Sequence, residues 1–143
     1  MTQERKKLVE LKNVSLTFNK GKSNEVEAID DVSFDIYEGE IFGLVGESGS
    51  GKTTIGRSVL KLSDIDSGTV TFSGNEISSL KGKDLHDFRK TDQMIFQDPQ
   101  SSLNGRMKIR DIIAEGIDIH KLAKSKEERE AKVKELIDLV GLN

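Results

Sequence analysis

Gly46-Glu47-Ser48-Gly49-Ser50-Gly51-Lys52-Thr53 puts three glycines, a lysine and a hydroxyl at the spacing Gly-x-x-x-x-Gly-Lys-Thr. Each residue type has a chemical reason to be there. Gly46, Gly49 and Gly51 permit positive φ and close backbone approach, so N–H groups from about Glu47 to Thr53 can converge on phosphate oxygens. Lys52 would place a point charge on the β- and γ-phosphates of a nucleotide, and the Thr53 hydroxyl is a hard oxygen ligand suited to Mg²⁺. Glu47 can serve a phosphate through its backbone N–H while its carboxylate points away. The competing reading is a flexible serine-glycine loop between two elements. A chance match to the spacing arises in roughly one chain in two hundred of this length.

The elements around the motif support the first reading. Ile41-Phe42-Gly43-Leu44-Val45 is an unbroken apolar run, which predicts a strand covered on both faces and leading into the loop. Ile55, Val59, Leu60 and Leu62 follow at helical spacing and predict a helix over 53–62, whose N-terminal N–H groups and dipole face the same anion. Upstream, between Leu8 and Tyr37, Leu16 and Phe18 alternate with Ser15 and Thr17. Val32, Phe34 and Ile36 alternate with Ser33 and Asp35. Period two predicts antiparallel strands with one wet face, joined through the turn-rich 19–24 and ended by Glu38-Gly39. Ser67-Gly68 precedes a further alternating strand carrying Val70 and Phe72. Leu85 and Phe88 mark a short helix, and Met94-Ile95-Phe96 is a second apolar strand.

Past Pro99, the sole proline, Ile109, Ile112, Ile113 and Ile117 form one helical stripe. Ser125 and Glu128 read as the capping box of a last helix with Val133, Leu136, Ile137 and Val140 on its core face and Gly141 as its stop. His120 extends the apolar side of the preceding helix and reads as a core-edge imidazole. His86 falls in a polar surface helix, and neither histidine has a metal-binding companion at useful spacing.

Composition narrows the class. The chain has 143 residues, about one domain, with no cysteine for disulfides or thiolate metal sites. A net charge of −3 offers no basic field for nucleic acid, and the densest basic run, Arg5-Lys6-Lys7, reads as a solvated terminus. No apolar stretch is long enough to span a membrane, and the charged start lacks the apolar core of a signal peptide, so a cytosolic protein is expected.

Leu44 to Thr54, taken with Met94-Ile95-Phe96-Gln97-Asp98-Pro99-Gln100-Ser101-Ser102-Leu103-Asn104, closely resembles the ATP-binding subunits of ABC transporters, and within them the oligopeptide and dipeptide importers. The likeness runs from Leu8 to Asn143. It departs at Gly105, where the family usually has proline, and at Thr53, often serine there. The resemblance implies an α/β phosphate-loop ATPase in which 8–40 is an antiparallel β subdomain, 41–98 the phosphate-loop core and 99–143 the start of a helical subdomain. It implies that Gln97 approaches Mg²⁺ and the attacking water and relays nucleotide state, a task for which an amide is suited as both donor and acceptor. Without the resemblance, Gln97 is an ordinary strand-end residue. Phe18 matches the aromatic that stacks on adenine, its alternative being an inward-facing strand residue. Thr54 matches the α-phosphate contact, alongside Gly46, Glu47, Ser48, Gly49, Ser50, Gly51, Lys52 and Thr53 in the cradle.

The implied function is ATP hydrolysis coupled to import of oligopeptides or dipeptides. The implied partners are transmembrane permease subunits, a second ATP-binding subunit and, indirectly, an extracellular solute-binding protein, with the chain peripheral on the cytoplasmic face of the membrane. The family's aspartate and glutamate after a further apolar strand, its later histidine and its leucine-serine-glycine-glycine-glutamine signature do not occur in these residues. Leu136-Ile137-Asp138-Leu139-Val140 imitates the carboxylate motif but lies in an amphipathic helical pattern. This implies the N-terminal half of such a subunit, inactive by itself. Two rivals are a phosphate-loop kinase, which would need an acceptor pocket and a lid arginine, and a soluble ABC-type ATPase of repair or translation.

Overall fold

The computed structural model describes residues 5–98 and 100–142, and these form two compact units, Met1–Gln93 and Met94–Asn143. The start before Arg5, together with Pro99 and Asn143, lies outside the described residues.

In the first unit, β1 (Lys7–Phe18) and β2 (Val26–Tyr37) form the expected hairpin. With β3 (Ser67–Phe72) and β4 (Asn75–Glu76) they make an antiparallel sheet in the order β2-β1-β3-β4. One face is buried: Val9, Leu11, Val14 and Leu16 of β1 with Ile29 and Val70, closed by Ile77. The step from Leu11 to Val14 breaks strict alternation, because the register shifts there against Val32. Asn13 and Asp31 both take positive φ at this irregularity (47° and 48°). Side chains replace the lost ladder: Ser33 Oγ accepts from Asn13 N at 2.8 Å, Ser15 Oγ from Asp31 N at 3.0 Å, and Asp31 Oδ1 from Asn13 Nδ2 at 2.8 Å. Residues with short polar side chains are the ones able to do this.

Helix α1 (Lys52–Val59) packs Ile55 and Val59 on the sheet core, and α2 (Gly82–Thr91) adds Phe88, whose ring meets Phe72 edge-on at 5.6 Å. The expected helix over 53–62 stops sooner. Lys61 turns left-handed at φ 52°, and Leu62 N donates back to Arg57 O at 2.8 Å, so Leu60 and Leu62 fall in the terminating turn.

The two apolar runs read as buried strands are not strands. Residues 41–45 and 94–96 carry no ladder, with Ile41 100%, Val45 95% and Ile95 95% exposed. A strand requires a hydrogen-bonding neighbour, and among the described residues neither run has one. Phe42 stacks on Phe34 at 4.9 Å.

The second unit contains α3 (Ile109–Ile119) and α4 (Lys126–Leu139), which share a small core of Ala114, Ile117 and Val133 with Ile113, Ala123 and Ile137. Leu136 and Val140, expected on the core face, are 42% and 66% exposed. Ser125 caps α4 by accepting from Glu128 N at 3.2 Å, and Glu128 reaches back to Lys124 N, one residue before the N-cap. Gly141 follows with φ 72°, as its role as a stop requires. Arg129 of α4 holds Asp118 of α3 through paired bonds of 2.8 Å from Nε and Nη2, which keeps that carboxyl below its usual range. His120 is half-buried at the C-cap of α3 and His86 is exposed on α2.

Candidate phosphate and base site

Gly51 is the N-cap of α1. It sits at φ 84° and brings no side chain to cap the helix. Gly49 is likewise left-handed, at φ 83°, so the loop approaches α1 in a conformation that other residues resist. The first turn of α1 also lacks an acidic side chain, the usual means of neutralising a helix N-terminus. This end of the helix therefore keeps its donors and its dipole for an anion.

The Lys52 side chain curls back over the loop. Its Nζ donates to Gly46 O at 2.8 Å and Ser50 Oγ at 3.0 Å, and also to Glu47 O. The ammonium is thereby held in the concavity of the loop. A side chain at Gly46 would intrude there, since its Cβ would lie 2.7 Å from Ser50 Oγ. One backbone donor of the cradle is committed elsewhere, as Ser50 N bonds Glu47 O at 3.2 Å. Ser48 is exposed on the loop. Within α1, Ser58 Oγ bonds Thr54 O at 2.9 Å, and Thr53 is exposed at the helix start.

A pocket opens beside this turn. Gly49, Ser50, Gly51, Lys52, Thr53 and Thr54 form its polar end, and Phe18, Val26 and Ala28 its apolar end. Phe18 and Val26 face each other as the last paired residues of the β1–β2 hairpin, and Phe18 is 42% exposed. Although Phe18 keeps the parity of the buried Leu16, it lies past the covered part of the sheet. The pocket suits a molecule with a flat apolar body at one end and an anionic group at the other.

Gln97 belongs to the second unit, exposed and outside any helix or strand. Next to it, Asp98 organises the following turn: Oδ1 accepts from Gln100 N and Ser101 N, and its carbonyl accepts from the Ser101 and Ser102 hydroxyls. The structure thus gathers Phe18 with residues 49–54, and ties Gly46 and Glu47 to them through Lys52. Val26 and Ala28 were not anticipated from the sequence. The hairpin register was the available signal for Val26, as it is the residue across the turn from Phe18.

The chain is similar to known proteins. Residues 29–143 match the family described as ABC transporter. The oligopeptide transport ATP-binding protein OppF of Streptococcus mutans is 73% identical over 143 residues, covering 100% of this chain and 46% of that protein. The dipeptide transport ATP-binding protein DppF of Lactococcus lactis is 61% identical, over 98% of this chain and 46% of that protein. The chain thus spans about half the length of the curated relatives it matches. Among solved structures, the dimeric ABC transporter cassette MJ0796 superposes with a TM-score of 0.74 at 27% identity, over 92% of this chain and 56% of that one. Its post-hydrolysis form bound to ADP and Pi gives 0.75 at 28%, with the same coverage. The family match over residues 29–143, together with relatives at 73% and 61% identity, places the chain in the ABC transporter family.

Proposed function

We propose that this chain is the nucleotide-binding part of a peptide importer, in which ATP bound at the Phe18–Thr54 pocket is hydrolysed to drive uptake of oligopeptides or dipeptides. The observation that carries this reading is a pocket that has the cradle of α1 at one end and Phe18 at the other. The transport role rests on the two relatives, an oligopeptide and a dipeptide transport ATP-binding protein, at 73% and 61% identity.

In this reading Lys52 and the first-turn N–H groups of α1 hold the β- and γ-phosphates, Thr54 the α-phosphate, and Phe18 the adenine face. Thr53 would hold Mg²⁺, which supplies charge neutralisation at the phosphates. The donor suits that ion, being a hydroxyl oxygen exposed at the uncapped start of α1. Phosphoryl transfer needs little covalent help from protein, so these residues act by positioning and electrostatics. Partners in the whole protein would be permease subunits, a second ATP-binding subunit and, beyond the membrane, a solute-binding protein. In this reading the chain is peripheral on the cytoplasmic face of the membrane; no helix among the described residues is long and apolar enough to cross a membrane.

The test is ATP-dependent uptake of a labelled oligopeptide by vesicles carrying the assembled transporter. Uptake that is lost with Lys52→Ala supports the reading. Uptake that persists with Lys52→Ala, or is confined to sugars or ions, contradicts it.

A further inference from the structure

We propose that Asp66 is a positioning residue for the base platform: its carboxylate stands in for a missing strand partner at Thr17 and so fixes where Phe18 presents its ring. This rests on the reading of Phe18 as the adenine platform.

The register shows why a substitute is needed. β1 lies between β2 and β3, and its last pair on the β3 side is Ser15 with Ser67. Thr17 is two residues further along, past the start of β3, while on the other side it still pairs with Glu27. Asp66, the residue before β3, fills the gap. Its Oδ2 accepts from Thr17 N at 2.7 Å, and its own N–H donates to Ser15 O at 2.8 Å. Its other oxygen, Oδ1, lies 3.9 Å from Lys20 Nζ. One carboxylate thus engages residues on both sides of Phe18.

The anchor itself is rigid. Gly68 has φ 84°, and a Cβ there would lie 2.2 Å from Asn13 O and 2.4 Å from Lys12 O, so the start of β3 is pressed directly on β1. Phe18 is 42% exposed and has a strand partner, Val26, on the β2 side. A charge-assisted bond to the adjoining backbone N–H is about twice as strong as a neutral one, which makes Asp66 the restraint on this end of β1 from the β3 side.

The experiment uses the full-length protein titrated with ATP and with inorganic tripolyphosphate, each with Mg²⁺. Asp66→Ala should weaken ATP about three- to tenfold, a fraction of the full stacking contribution, and leave tripolyphosphate unchanged. Asp66→Asn, whose amide oxygen can still accept from Thr17 N, should return ATP affinity to within about twofold of the parent. In a Phe18→Ala background, Asp66→Ala should add nothing, as expected of residues acting as one unit. Unchanged ATP affinity in Asp66→Ala, equal loss of both ligands, or an additive effect in the Phe18→Ala background would each overturn the proposal. If Phe18→Ala itself fails to separate ATP from tripolyphosphate, the platform reading falls and the proposal with it.

Discussion

The carbonyl oxygen of Ala28 on β2 stands 2.2 Å from where a Cβ on Gly51 would lie. No non-bonded carbon tolerates that separation, so the loop reaches α1 only because residue 51 has no side chain. The same contact seats the cradle against the strand that lines the apolar end of the pocket.

Gly51→Ala should therefore do two things. The left-handed φ costs about 1–2 kcal/mol for any L residue, and the clash with Ala28 adds to it by pushing the loop off β2. Urea unfolding should show the stability loss. Nucleotide titration of the folded fraction should show ATP affinity falling by at least tenfold, because the displaced loop misplaces Lys52.

Phe18→Ala should weaken ATP by about 1–3 kcal/mol and spare inorganic pyrophosphate, since only the base loses its stacking surface. Competition titrations with the two ligands measure this. Equal loss for both would return Phe18 to the sheet core.

Much of this site was legible because its information is local. The spacing from Gly46 to Thr53 states the loop's backbone needs in consecutive residues, and Ser125 with Glu128 and Gly141 states the limits of α4 in the same way. Non-local partners were less legible. Asp66 meets Thr17 across 49 positions, and nothing in the spacing connects them. The irregularity at Asn13 and Asp31 was hidden for a similar reason, as each side of it reads as ordinary alternation. Ile41–Val45 failed differently. Hydropathy reports what a segment would gain from cover, and becoming a strand also takes a neighbour's backbone, which residues 41–45 lack here. Leu136 and Val140 follow the same rule, being apolar positions on α4 that α3 does not cover.

The exposed runs should make the 143-residue chain self-associate. Sedimentation velocity should show the average mass rising with concentration. Ile41→Lys with Val45→Lys should reduce that rise, since charges on an exposed apolar segment oppose pairing between chains.

The α3–α4 pair should loosen in acid. Arg129 holds the Asp118 carboxyl below its ordinary range, so this bond contributes fully above the unfolded-state value of about 3.9 and is lost as pH falls below that toward the lowered folded value. Protection of α3 and α4 amides from hydrogen exchange, relative to the intrinsic rate at each pH, should fall below about pH 4. Asp118→Asn should lower that protection at neutral pH and flatten its dependence on pH.

The central claim is that the turn from Gly46 to Thr54 binds the phosphates of ATP, and calorimetric titration with ATP·Mg²⁺ of the parent and Lys52→Ala tests it most directly. Lys52 bonds only exposed groups of its own loop, so the variant should unfold within about 0.5 kcal/mol of the parent. The account predicts a saturable heat for the parent and none, or at least a hundredfold weaker binding, for Lys52→Ala. A folded Lys52→Ala protein that binds ATP·Mg²⁺ as tightly as the parent would contradict it.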